Sequence, residues 1–144
     1  MSNEPYVLEV SLGVADFRSL RGMTGWGVPD PAVVRAALEA SLFGLTARVQ
    51  GRAVGMLRVV GDGALNAYIQ DLVVDPAHRR AGIGRALVEM AVCELGRTAP
   101  DGLAVGLMAA HGADAFYRSC GFRARPNPDQ GAGFQARLSD LRER

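Results

Sequence analysis

The chain has 144 residues, 49% of them apolar and 22% charged, with a net charge of +1. That is the balance of a globular protein large enough for one domain with its own core, so a single domain over 1–144 is expected. It excludes a nucleic-acid face, because no basic stripe is interleaved with aromatics, and no apolar run nears the roughly 18–20 residues of a membrane span.

Residues 6–10 alternate weakly and read as a first, edge-like strand. A short helix is expected over 14–21, with Phe17 and Leu20 on one side. The glycine-rich loop 22–28 holds the only tryptophan, Trp26, which reads as partial core before ligand contact. Asp30 and Pro31 suit the N-cap and first turn of a second helix. Val34, Leu38 and Leu42 recur at helical spacing, with Gly44 as its expected C-terminal cap.

Residues 45–50 and 53–60 form a hairpin pattern around Gln50-Gly51-Arg52. After a turn at 61–63, a central strand is expected over 66–74. Simple alternation puts Tyr68, Gln70 and Leu72 on one of its faces and Ile69, Asp71 and Val73 on the other. Asp75-Pro76 ends it, since proline lacks the ladder N–H. A helix over 82–95 should bury Ile83, Leu87, Met90, Ala91 and Leu95. A fifth strand at 103–108, a helix at 112–120 and a sixth strand at 121–125 follow, and 134–138 is expected to close the sheet. The order describes an α/β protein: a mixed sheet with helices on both faces.

The stretch with most chemistry is Arg79-Arg80-Ala81-Gly82-Ile83-Gly84-Arg85, set between an apolar strand and a helix. It places unpaired backbone N–H groups at a positive helix end, a geometry that takes phosphate, with arginine charge beside it. The third glycine of the dinucleotide fingerprint is replaced by Leu87, and no Gly-Lys-Ser/Thr ending is present. Cys93 and Cys120 lie on different expected helices without metal-ligand spacing, so two reduced thiols and no metal site are expected. All 16 basic residues are arginine, so the chain offers no lysine amine of its own. The opening MSNEPYVLEV has no basic region followed by an apolar core, which points to the cytoplasm.

Arg79-Arg80-Ala81-Gly82-Ile83-Gly84, following Val73-Val74-Asp75-Pro76, resembles the acetyl-coenzyme-A-binding segment of the GNAT N-acetyltransferases. Ala113-Asp114-Ala115-Phe116-Tyr117-Arg118-Ser119-Cys120-Gly121-Phe122 resembles that family's A-x-x-F-Y-x-x-x-G-F segment. The resemblance implies the GNAT-like acyl-CoA N-acyltransferase fold, and transfer of an acetyl group from acetyl-CoA to a primary amine by direct attack in a ternary complex. It implies that Leu72, Val73 and Val74 pair with the pantetheine arm, and that Arg79, Arg80, Ala81, Gly82, Ile83, Gly84 and Arg85 hold the pyrophosphate. Tyr117 resembles the tyrosine that meets the sulfur and donates to the departing thiolate.

An ammonium with a pKa near 10.4 must lose a proton before it attacks. Tyr68, Gln70 and Asp71 stand near the strand end, and Asp71, the only carboxylate there, ranks first as base. Trp26, Tyr68, Gln70 and His111 are the expected acceptor-side residues, and Asp62, Asp71 and Asp75 would favour a cationic acceptor if they line its route. A small-molecule amine is the expected acceptor, with a protein amine as the alternative and a homodimer consistent with the family. Many relatives carry asparagine three residues before the position of Ala113, where this chain has Ala110. That departure supports a second reading, a non-catalytic coenzyme-A-binding regulatory module, against which Tyr117 argues.

Overall fold

Five strands assemble into one mixed sheet in the computed structural model, which describes residues 4–143. The chain divides into two compact units, Met1–Leu107 and Met108–Arg144. In the first, β1 (Val7–Glu9), β2 (Phe43–Val49), β3 (Arg52–Gly61), β4 (Asn66–Val74) and β5 (Ala104–Leu107) lie in sequence order across one sheet. All neighbours are antiparallel except β4 and β5, which run parallel. Between β2 and β3 the turn residues Gln50 and Gly51 both have positive φ, 49° and 78°. That is the backbone twist of a two-residue hairpin, and Val49 pairs directly with Arg52.

Side-chain alternation along β3 assigns the two faces. Met56 pairs with Val73 and joins Phe17, Leu20 and Val34 in one buried cluster. Helices α1 (Val14–Arg21) and α2 (Pro31–Ala40) therefore cover that face. Gly55 points the other way, where an added Cβ would stand 3.1 Å from Ile83 and 3.2 Å from Leu87. Helix α3 (Ile83–Gly96) lies there, close enough that a larger residue at 55 would require Ile83 and Leu87 to shift. Leu20, Met56 and Leu87 are fully buried, each worth about 1.5–3 kcal/mol of transfer free energy. The mixed sheet with helices on both faces is as the sequence predicts.

Four details differ from the sequence reading. Helix α2 stops at Ala40, because the Ser41 hydroxyl donates back to the Ala37 carbonyl (2.7 Å) and Leu42 N–H donates to Val59 of β3 (2.8 Å). Gly44 is thus a β2 residue opposite Arg58 and no helix cap. On α3 the buried stripe is Ile83, Leu87, Val88, Ala91 and Leu95, with Met90 only half-buried.

In β4, alternation breaks at Asp71, whose φ is 55°. Two residues, Asp71 and Leu72, stand against Leu57 alone, since Arg58 pairs with Gln70 and Met56 with Val73. This bulge lets Val73, and not Leu72, continue the face begun by Tyr68 and Gln70.

Strands expected at 121–125 and 134–138 do not form. Gly121 has φ 100°, Pro126 and Pro128 lack ladder donors, and Asn127 and Gln130 close a tight turn on each other. The second unit carries instead two short helices, α4 (Asp114–Ser119) and α5 (Leu138–Arg142), and Phe134 is 91% exposed. No helix among the described residues is long and apolar enough to cross a membrane.

Candidate active site

The turn after β4 is pinned before it opens. Asp75 is buried; its Oδ1 accepts from Ala77 N–H (2.9 Å), capping a single 3-10 turn at Pro76–His78. Its Oδ2 accepts from Arg52 (3.0 Å) and lies 3.7 Å from His78 Nδ1. Beyond this anchor, Arg80 (φ 65°) and Gly82 (φ 82°) are both left-handed with Ala81 between them. Such alternation turns successive N–H groups to one side, a concavity suited to an anion.

Gly82 is the N-cap of α3 and its carbonyl accepts from Ala86 N–H (3.0 Å). An added Cβ on Gly82 would meet no atom within 4 Å, so there is room above the helix end. Arg79, Arg80, Ala81, Gly82 and Arg85 are exposed around that room, Gly84 is half-buried, and buried Ile83 fastens the turn to the core. Arg85 also reaches Glu89 at 4.0 Å. The residues the sequence assigns to phosphate are thus brought together at the N-terminus of a helix, beside arginine charge.

Beside the turn, β4 offers an open edge. Its pairing with β5 ends at Ile69 and Leu107. Among the described residues, β4 is laddered only on the β3 side from Gln70 to its end at Val74. Leu72, Val73 and Val74 therefore present backbone groups that an extended chain could pair with, as an added strand does. The Val73 side chain is buried in the core, and those of Leu72 and Val74 are half-buried.

Asp71 sits at the bulge where this edge begins. Its side chain is 5% exposed and lies between two guanidinium groups, Arg21 Nη1 at 2.5 Å and Arg58 Nε at 3.0 Å. Each carboxylate oxygen thus accepts from one guanidinium. Arg58 also donates to the Ser41 hydroxyl (3.3 Å). Neither arginine stood out in the sequence, although Arg58 left a signal: a lone charge inside the apolar run Val54–Val60 needs a buried carboxylate. Asp62 and Asp75 are likewise engaged, Asp62 by the N–H groups of Ala64, Leu65 and Asn66. All three carboxylates expected to attract a cationic acceptor therefore already hold partners within the fold.

Tyr68 is half-buried, its ring lying over Gly106 of β5, where a Cβ would come within 3.0 Å of Cε2. Gln70 is also half-buried, on the same sheet face. Trp26 is 46% exposed rather than core, and the Arg21 guanidinium lies 5.6 Å from its ring centre.

In the second unit, His111 is exposed in the turn before α4. Tyr117 packs edge-on against Phe116 (5.0 Å) and Phe122 (6.2 Å). Burial first, and Cys120 second, raise its pKa above the ordinary value of 10.0. Its hydroxyl makes no hydrogen bond among the described residues.

Residues 41–124 match the acetyltransferase (GNAT) domain family. The chain belongs to the GNAT acetyltransferase family. The match takes in the β4 bulge, the arginine-glycine turn and Tyr117 of this GNAT chain, and GNAT acetyltransferases use acetyl-CoA as acetyl donor.

Similarity extends to the histone acetyltransferase TAP1 of Glycine max, 32% identical over 129 residues, covering 82% of this chain and 55% of that protein. Serotonin N-acetyltransferase 2, chloroplastic, of Oryza sativa subsp. japonica is 37% identical over 84 residues, covering 58% and 41%. This GNAT chain spans about half the length of the curated relatives it matches. Among solved structures, a GNAT-family acetyltransferase of Streptococcus pneumoniae superposes with a TM-score of 0.76 at 26% identity. It covers 93% of this chain and 98% of its own.

Proposed function

We propose that this protein is an acetyl-CoA-dependent N-acetyltransferase that acetylates a small-molecule primary amine by direct attack in a ternary complex. The observation that carries the reading is the union of an open β4 edge with a left-handed arginine-glycine turn at the N-terminus of α3. The two units are taken as one acetyltransferase domain, because the family match runs across their boundary.

In this reading the backbone at Leu72, Val73 and Val74 holds the pantetheine arm. N–H groups from Ala81 to Arg85, with Arg79 and Arg80, hold the pyrophosphate. The open space above Gly82 fits such a group. Acetyl-CoA supplies the thioester; the amine nitrogen bonds to the acetyl carbon as the carbon–sulfur bond breaks, and the proton lost from nitrogen balances the thiol formed. A backbone N–H near Val74 stabilises the developing oxyanion, and the Tyr117 hydroxyl donates to the departing sulfur. Asp71, with both oxygens held by guanidinium groups, is assigned to positioning, and the ammonium proton leaves through water.

A protein amine is the second reading, supported by the histone acetyltransferase relative as the first is by the serotonin one. The cytoplasmic setting and the homodimer expected from the sequence belong to this proposal too, and neither alters the chemistry.

The test is thiol release from acetyl-CoA against a panel of small amines and N-terminal peptides. Turnover with small amines supports the first reading and turnover with peptides alone supports the second. Absence of thiol release with every amine, from a sample that binds acetyl-CoA, would leave the regulatory module.

A further inference from the structure

The loop joining α1 to α2 has almost no means of holding itself. Residues 25–29 make no backbone–backbone hydrogen bond among the described residues, and Gly25 and Gly27 (φ 84°) add conformational freedom. Side chains do the holding. Thr24 Oγ1 accepts from Trp26 N–H (3.1 Å) and Arg18 Nε donates to the Pro29 carbonyl (3.1 Å). Arg21 supplies the rest: Nε donates to the Gly27 carbonyl (3.1 Å) and Nη2 to the Trp26 carbonyl (3.5 Å). Its third nitrogen, Nη1, is the one bound to Asp71. One planar guanidinium thus ties a glycine-rich loop to the left-handed bulge of β4, and its central carbon lies 5.6 Å from the centre of the Trp26 ring.

We propose that Arg21 is a positioning residue that sets the acceptor side of the site, with Asp71 as its anchor. Arg58, holding the other oxygen of Asp71, keeps that anchor fixed from β3. The coupling is specific to arginine. A lysine at 21 keeps the charge and can pair with Asp71, but a single ammonium cannot span the carboxylate and two loop carbonyls in one plane. The inference rests on the acetyltransferase reading: the tie to Asp71 sets this loop beside the bulge where the open β4 edge begins, and Trp26 is its expected acceptor-side residue.

Trp26, the only tryptophan, provides a readout that needs no activity. In Arg21→Lys, Trp26 emission should shift to the red and acrylamide quenching should rise. The acceptor KM should rise about tenfold, more than kcat falls, while acetyl-CoA affinity and Tm stay near wild type. Asp71→Asn should reproduce the Trp26 change, and the double variant should show no further rise in acceptor KM. Should Arg21→Lys fail to fold, the Trp26 signal of Asp71→Asn decides alone.

Unaltered Trp26 quenching and acceptor KM in a folded Arg21→Lys would overturn the proposal. So would a parallel loss of acetyl-CoA affinity and Tm, the mark of a merely structural arginine. Failure of the wild type to bind acetyl-CoA would sink the enzyme reading instead, leaving the loop coupling to be judged by Trp26.

Discussion

Asp71 owes its surroundings to a single backbone angle. Aspartate tolerates the left-handed region better than most residues, and at φ 55° it adds one residue to β4. That step turns the carboxylate toward Arg21 and Arg58 and away from the position alternation gives it. Tyr117 differs, because its neighbours in sequence are also its packing partners, Phe116 and Phe122.

Burial favours the neutral tyrosine hydroxyl, so its folded pKa lies above 10.0. The proton is held throughout neutral pH and is lost only as pH rises through that raised value. The rate with a fixed amine should therefore show no fall from this group below about pH 10. Tyr117→Phe should slow kcat by less than the ~10²-fold typical of a general acid, since a thiolate is already a fair leaving group, and should abolish the alkaline fall. An unchanged kcat at saturating acetyl-CoA would remove Tyr117 from the mechanism.

Elements with two concordant local signals were legible. Helix α1 and strand β4 have the predicted bounds, and Gln50-Gly51 makes the predicted hairpin. The end of α2 was not legible, because Leu42 continues the helical spacing while a sheet hydrogen bond claims its N–H. A Cβ on Gly44 would stand 2.6 Å from Leu12 Cβ. Gly44→Ala should thus cost about 1–3 kcal/mol through overpacking, measured by urea unfolding; a helix-cap role would instead come from a left-handed φ, which Gly44 lacks.

At the β3–β4 turn, N–H groups of Asn66, Ala64 and Leu65 lower the Asp62 pKa below 3.8. Its stabilisation is full above the unfolded value and is lost as pH falls through the folded one. The stability gap between wild type and Asp62→Ala should accordingly close on acidification below about pH 4. A gap that persisted there would mean the carboxylate charge is not what holds the turn. At the arginine-glycine turn, Gly82→Val adds a branched side chain at φ 82° into the space above α3. Acetyl-CoA affinity should drop at least tenfold while the chain stays folded.

For the molecule as a whole, topology was more legible than the site. Short apolar runs and glycine turns dictate which segment becomes strand or helix, and the parallel β4–β5 pair follows from the α3 crossover between them. The C-terminal strands were misread because Phe122, Phe134 and Leu138 look strand-like, while residues 126–133 between them hold two prolines and two glycines. The arginine-glycine turn before α3 could be read as a turn because its backbone needs particular small residues at fixed spacing. The Arg21–Asp71–Arg58 cluster could not, since it joins residues up to 50 positions apart.

A ligand that binds only the folded chain stabilises it by mass action, about 2.7 kcal/mol at a hundredfold excess over Kd. Acetyl-CoA should therefore raise Tm, and ATP and NAD at equal concentration should not. Calorimetric titration of the wild type with acetyl-CoA, with ATP and NAD as controls, tests the central claim most directly. The account predicts selective micromolar binding, about −8 kcal/mol, lost in Gly82→Val. A folded sample that binds none of the three, or binds all of them alike, would contradict it.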